Sequence, residues 1–319
     1  MSCDVVALGE LLVDFAQRGT DGGGYPTMAA NPGGAPCNFL AALSRYGVST
    51  ALLGKVGDDF FGRLLVGTLK EVGIETGGVV LDERFFTTLA FVTLDASGER
   101  SFSFARKPGA DTQIRFEELA LSLIDGCRVF HFGSLSLTDE PARTATRQAV
   151  AYAGAWGKLI TFDPNLRPPL WRGEAEARQQ ILWGLSQAHV VKISDEEVSF
   201  LWGCSPREGA DRLLRDHGVS LAMVTLGPKG CYLKNQRASY AAPAPVVTCV
   251  DTTGAGDIFG GSALYRLLEL GKDPAELEEE DLGYVARFAV TAASLSTERS
   301  GGIPSVPDRE RVLDRGGLV

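Results

Sequence analysis

The stretch Val250-Asp251-Thr252-Thr253-Gly254-Ala255-Gly256-Asp257-Ile258-Phe259-Gly260-Gly261 decides how this chain is read. The apolar run 246–250 reads as a strand ending at Val250, and the spacing of Ile258, Phe259, Leu264, Leu267 and Leu268 predicts a helix directly after the glycines. Such a turn presents backbone N–H groups at the positive end of a helix dipole, unobstructed by side chains at Gly254 and Gly256. Gly254, Ala255 and Gly256 are therefore expected to form an anion hole. Asp257, in the first helical turn, would repel an anion unless it had chemistry of its own. General base fits: it takes the proton of an attacking hydroxyl while the N–H groups hold the charge developing on a transferred phosphoryl. A plain first-turn acid favoured by the dipole is the competing reading. The run Gly254-x-Gly256-x-x-x-Gly260 is not a dinucleotide fingerprint, since its spacing and late position are wrong, and no G-x-x-x-x-G-K-[ST] element occurs.

Working outward, short apolar runs recur, each before a stretch of helical period: 5–8 before 35–46, 52–56 before 59–72, 129–132 before 139–156, 160–162 before 174–186 and 190–193 before 195–202. The runs 223–226 and 246–250 continue the series, the latter before 256–271. Strands alternating with helices predict an α/β fold of three layers, a mostly parallel central sheet covered on both faces, with ligands beyond the carboxyl ends of the strands. Two regions break the alternation. Residues 11–30 read as a glycine-rich loop, and 88–104 as a period-two hairpin turning at Ser97-Gly98. Lacking a helix, these pieces are expected to form a small β lid or a dimer surface, with an ordinary edge hairpin as the alternative.

The chain has 319 residues, and 31 basic against 40 acidic residues give a net charge of −9 with no basic cluster, which argues against nucleic acid. No apolar run approaches the ~20 residues of a membrane helix, and Met1-Ser2-Cys3-Asp4 carries no basic leader, so a cytoplasmic protein is expected. Six scattered cysteines without C-x-x-C read as reduced thiols. His131, His189 and His217 lack metal-ligand spacing and read as structural.

Asp-Thr-Thr-Gly-Ala-Gly-Asp opening a late helix resembles the C-terminal signature of the ribokinase-like (PfkB) carbohydrate kinases. The family's N-terminal signature is matched by Asn31-Pro32-Gly33-Gly34-Ala35-Pro36-Cys37-Asn38, and the resemblance extends over nearly the whole chain, implying one ribokinase-like domain over 1–319 with lid segments near 11–30 and 86–108. It implies ATP and Mg2+ as cofactors, with K+ as a further expectation, a small sugar as partner, and a homodimer through the lid. By the resemblance, Asp14, Gly33, Gly34, Asn38, Phe104, Arg106 and Arg167 would meet the sugar. Lys192, Glu197, Thr225, Gly227, Lys229 and Gly230 would serve the nucleotide, Glu197 through magnesium, with Ser194 standing where the family's Asn-x-x-Glu element has asparagine. Asp251, Thr253, Ser296, Arg299, Gly301 and Ser305 match a monovalent-cation site; Asp251 as a simple cap of the Thr252-Thr253 turn is the alternative.

Two segments, Asp163-Pro-Asn-Leu-Arg-Pro-Pro-Leu-Trp171 and Phe104-Ala-Arg-Lys-Pro-Gly-Ala-Asp111, look like the fructokinase branch. The implied reaction is phosphorylation of the 6-hydroxyl of fructose. Arg106 and Arg167 could instead clamp a carboxylate, as in 2-dehydro-3-deoxygluconate kinases, and ribose or a nucleoside are other family acceptors. A sugar-binding regulator without catalysis is the alternative of a different class, disfavoured by the intact Gly-Ala-Gly-Asp.

Overall fold

The computed structural model describes residues 3–94 and 100–318. In chain order the strands are β1 (Val5–Leu8), β2 (Leu12–Thr20), β3 (Pro26–Gly33), β4 (Thr50–Gly57), β5 (Ile74–Glu75), β6 (Val79–Asp82), β7 (Leu89–Leu94), β8 (Arg100–Ala105), β9 (Val129–Gly133), β10 (Leu159–Asp163), β11 (Val190–Ser194), β12 (Leu221–Thr225), β13 (Cys231–Lys234) and β14 (Ser239–Ala242). The helices are α1 (Ala35–Arg45), α2 (Phe60–Glu71), α3 (Leu121–Gly126), α4 (Ala142–Ala155), α5 (Glu174–Leu185), α6 (Asp195–Trp202), α7 (Pro206–His217), α8 (Ala255–Leu270), α9 (Glu279–Ser296) and α10 (Arg309–Gly316).

The central sheet runs β14-β13-β12-β11-β10-β9-β1-β4-β5, with β6 beside β4. Its middle strands are parallel, and only the edge pair β13 and β14 is antiparallel. Strand alternation divides the apolar residues between two cores: Val5 and Ala7 join one, Val6 and Leu8 the other. Helices α1, α8 and α9 cover the first face and α4, α5, α6 and α7 the second, which gives the three layers. Each fully buried Leu or Phe in these cores contributes roughly 1.5–3 kcal/mol. Helices α1 and α8 pack closely because a side chain on Gly261 would overlap the Phe39 carbonyl, so only glycine permits that approach.

A second sheet, β3-β2-β7-β8, stands off the first. Residues 11–30, expected as a loop, form most of its first hairpin, β2 and β3, and β2 pairs in parallel with β7. Both hairpin strands are half-exposed, so neither carries the apolar alternation that marks a strand over a core. Asp21 closes the hairpin, its Oδ1 accepting from the Gly23 and Tyr25 amides at 2.8 and 2.9 Å. The 88–104 hairpin pairs Leu89 with Ala105 through Leu94 with Arg100, while the expected turn at Ser97-Gly98 lies outside the described residues.

The run 246–250 is not a strand. Val250 and Asp251 donate to the Thr297 carbonyl at 2.7 and 3.0 Å, so this segment is a loop fastened to the end of α9. Val246 and Val250 are exposed, at 88% and 61%, while Val247 is half-buried; Val246 and Val247 line a groove. Among the described residues no helix is long and apolar enough to cross a membrane, and the six cysteines are free.

Candidate active site

The carboxyl ends of the parallel strands and the N-termini of α1 and α8 meet on one side of the central sheet. Gly254 is the N-cap of α8 with φ +76°, a conformation that glycine adopts without strain. Gly254, Ala255 and Gly256 are half-buried, and the Ala255 amide makes a long bond of 3.3 Å to the Thr252 carbonyl. Asp257 follows at 9% exposure and Asn38, from α1, at 3%. The packing of α1 on α8 brings the two together, and Asn38 Nδ2 donates to Asp257 Oδ2 at 2.9 Å. Burial raises the Asp257 carboxyl above its ordinary range, against the opposing pull of Lys192, Asn38 and Arg167. A raised carboxylate within reach of an acceptor hydroxyl is what general-base chemistry near neutral pH requires.

Asp14 sits on β2 opposite Asn31 of β3. Gly33 leaves the room its carboxylate occupies, since any side chain there would overlap Asp14 Oδ2. Burial pushes the Asp14 carboxyl up to about 7; Arg167 opposes this, and the charges of Asp257 and Asp251 add to it. Arg167 thus lies within the fields of both Asp14 and Asp257, its Nη1 donating to the Leu166 carbonyl at 3.1 Å. Gly34 is the N-cap of α1, where the Glu10 carboxylate accepts from the Ala35 amide at 2.9 Å.

Arg106 stands apart from this group in its bonding. Its guanidinium is 3% exposed and is held by Asp111 at 2.7–2.8 Å, by Thr138 Oγ1 at 2.8 Å and by the Leu135 carbonyl at 2.8 Å. Thr88, at the foot of β7, donates to the same Asp111 at 2.5 Å, so the pair fastens both ends of the β7–β8 hairpin to the main body. Phe104 is half-buried on β8, paired with Ala90.

On the other side of the α8 N-terminus lies a groove of about 630 Å³. Thr225, Gly227 and Gly230 line one wall, Val246, Val247 and Cys249 another, and Ala255 and Gly256 its end. Lys229 is exposed and is not among the lining residues. The groove suits a ligand with a flat apolar part and an anionic end directed at α8. Sequence reasoning missed the 244–249 wall and the α9 residues Val290 and Ala293, which face the same groove.

Lys192 and Asp163 lie side by side on β11 and β10, with Nζ 3.0 Å from Oδ2. Burial alone would discharge the Lys192 ammonium, but Asp163, Glu197 and Asp257 outweigh it and hold the group charged. Glu197 accepts from the Leu166 amide at 2.7 Å and the Ser194 amide at 2.8 Å, so it fixes the loop that carries Arg167. Ser194 caps α6, its Oγ accepting from the Glu197 amide at 3.1 Å. Serine thus serves a capping role where the family has asparagine.

Asp251 Oδ1 accepts from the Thr253 amide and hydroxyl at 2.9 and 2.7 Å, and Oδ2 from the Gly301 amide at 3.0 Å. Ser296 and Ser305 donate to the Ala293 and Gly302 carbonyls, each at 2.8 Å, and Arg299 is exposed. Asp251 therefore caps its turn and also ties it to the 299–302 loop. A carboxylate, hydroxyls and loop carbonyls form an all-oxygen set that fits a hard monovalent cation. Among the described residues no group of three His, Cys, Asp or Glu could hold a metal by side chains alone.

The pfkB family carbohydrate kinase model matches residues 3–309. Fructokinase-1 of Zea mays is 43% identical over 313 residues, 97% of this chain and 96% of that relative. A solved fructokinase with bound ATP from Xylella fastidiosa is 31% identical with a TM-score of 0.90, covering 98% of both chains. A fructokinase double mutant from Vibrio cholerae O395, in fructose, ADP and potassium ion bound form, is 30% identical with a TM-score of 0.86 over 98% of both chains. With the family's two signatures converging on Asn38 and Asp257, this chain belongs to the pfkB family of carbohydrate kinases.

Proposed function

We propose that this protein is an ATP-dependent fructokinase that transfers the γ-phosphoryl group to the 6-hydroxyl of fructose. The observation that carries the reading is the buried Asp257 at the α8 N-terminus, bonded by Asn38, next in sequence to the groove-lining Ala255 and Gly256 and within the field of Asp14. The Vibrio cholerae fructokinase is solved with fructose, ADP and a potassium ion bound, which supports the same assignment of ligands here.

In the reaction, Asp257 takes the proton of the 6-hydroxyl as its oxygen attacks the γ-phosphorus. The amides of Gly254, Ala255 and Gly256 hold the charge on the transferring group. Asp14 and Arg167 orient the sugar, with Gly33 and Gly34 allowing it close to the backbone, and Phe104 covers it from the lid. Thr225, Gly227 and Gly230 receive the nucleotide. Magnesium, when bound, would supply charge neutralisation at the nucleotide phosphates. Glu197 acts by fixing the Leu166–Arg167 segment against α6. Potassium would lie among Asp251, Thr253 and the 296–305 loop and order the turn before α8. Arg106 anchors the lid; its occupied guanidinium weakens the case for a two-arginine carboxylate clamp. A cytoplasmic homodimer joined through the β2–β8 sheet completes the reading, and light scattering near the monomer mass of 34.0 kDa would count against the dimer.

The test is ADP release by the purified protein with ATP, magnesium and potassium across fructose, glucose, ribose, a nucleoside and 2-dehydro-3-deoxygluconate. Fructose is expected to give the highest kcat/KM. A preference for the ketodeoxy acid would overturn the acceptor assignment, and sugar binding without ADP formation would overturn catalysis.

A further inference from the structure

Helix α1 and the loop 299–306 meet along a contact with two ends. The inner end belongs to the active site: the Gly301 amide donates to Asp251 at 3.0 Å, and a Cβ on Gly302 would overlap Asn38 Oδ1. The loop backbone thus lies directly on the residue that bonds Asp257. At the outer end the same two elements part into a cleft of about 490 Å³, completed by the end of α2, which the chemistry above does not use. Ala41 and Arg45 line it from α1, three and seven residues beyond Asn38 and so on the same face of the helix, further along. Arg299, Ile303 and Val306 line it from the loop.

The cleft has an apolar floor, with Ala41, Ile303 and Val306 buried, and a charged rim. Arg45 pairs with Asp308, and both are exposed; such a surface pair contributes little and yields readily to a stronger anion. Arg299 and Glu71, also exposed, have no side-chain partner among the described residues. The carbonyl end of α2 is already occupied, since Ser44 Oγ donates to the Val72 carbonyl at 2.6 Å. Two guanidiniums and one free carboxylate therefore set the chemistry of an occupant. The planar forks of Arg45 and Arg299 suit phosphate oxygens, and Glu71, which only accepts, suits hydroxyl donors. A bare inorganic anion would satisfy the arginines and leave Glu71 opposing it.

We propose that this cleft is a regulatory site for a small hydroxylated phosphomonoester, a sugar phosphate, whose phosphate bridges Arg45 and Arg299 and whose hydroxyls meet Glu71. The bridge ties α1 to the loop. Its hold reaches the active site through Gly302 against Asn38 and through Gly301 on Asp251, so occupancy favours the aligned site and raises kcat/KM for fructose. The coupling rests on the fructokinase reading given above; the binding does not.

The probe is glucose 6-phosphate, with inorganic phosphate and glucose as its two halves. Each is titrated by calorimetry into protein saturated with ADP and fructose, so that the active site is filled. We expect one site per chain, with either half binding at least about tenfold more weakly than the whole. Arg45→Met and Glu71→Leu, both exposed positions away from the catalytic groups, should each weaken the probe about tenfold and leave Tm and basal turnover nearly unchanged. Saturating probe should raise kcat/KM for fructose at least about threefold in wild type and not in Arg45→Met. Inorganic phosphate binding as tightly as the sugar phosphate would overturn the proposal, as would undiminished affinity in Arg45→Met. So would binding that vanishes once ADP and fructose fill the active site, or a kcat/KM that the probe leaves unchanged or lowers. A wild-type protein that makes no ADP with fructose would instead sink the functional reading, and the calorimetry would still decide the site.

Discussion

Asn38 Nδ2 donates to Asp257 Oδ2 at 2.9 Å across 219 residues of sequence, so the first helix of the chain orients an acid on the eighth. The bond lowers the Asp257 carboxyl against the burial that raises it. Asn38→Leu removes the donor. It should therefore move the acid limb of kcat/KM to higher pH and lower the rate at neutral pH about tenfold, the worth of roughly 1.4 kcal/mol. A pH–rate profile checks this; an unmoved acid limb would show that Asn38 does not tune the base.

Burial holds the Asp14 carboxyl at about 7, well above its unfolded value, while its proposed task of accepting sugar hydroxyls needs the ionised form. The KM for fructose should then rise about tenfold between pH 8 and pH 6, and Asp14→Asn should flatten the dependence. Stability runs the other way. The folded protein binds this proton more tightly than the unfolded chain, so Asp14 withdraws stability as pH rises from about 4 through 7. Asp14→Asn is thus expected to raise Tm at pH 8 while weakening fructose binding, and lowered Tm with intact binding would contradict both halves.

Arg106 and Asp111 form a buried pair that fastens the β7–β8 hairpin. Arg106→Met leaves Asp111 buried without its partner, a loss of about 3–5 kcal/mol. Denaturant unfolding should register it as a large drop in stability. A raised KM for fructose at unchanged stability would make Arg106 a sugar ligand instead.

Where side chains face a core, the sequence pattern is readable: β1, α5 and α6 fall within a residue of the expected ranges because their periodicity records burial. It fails where both faces of a strand are half-exposed, as in β2 and β3, and where apolar residues such as Val246 face a ligand groove. The candidate site is legible at Gly254–Asp257 because a glycine-rich turn into a helix is a local arrangement. Glu10 and Asp163 acquire their roles only through Ala35 and Lys192, partners 25 and 29 residues away that folding supplies. The residues expected at the cation site raise the same difficulty, since the capping of the Thr253 turn by Asp251 is local while the tie of Asp251 to Gly301 is not.

The most direct test of the account is the turnover of Asp257→Asn with ATP and fructose, measured beside ligand affinities and Tm. The substitution keeps size and shape and removes the proton acceptor. The account predicts a folded protein that binds both ligands and loses kcat by at least about a hundredfold. A kcat within about threefold of wild type would take Asp257, and the mechanism built on it, out of the reaction.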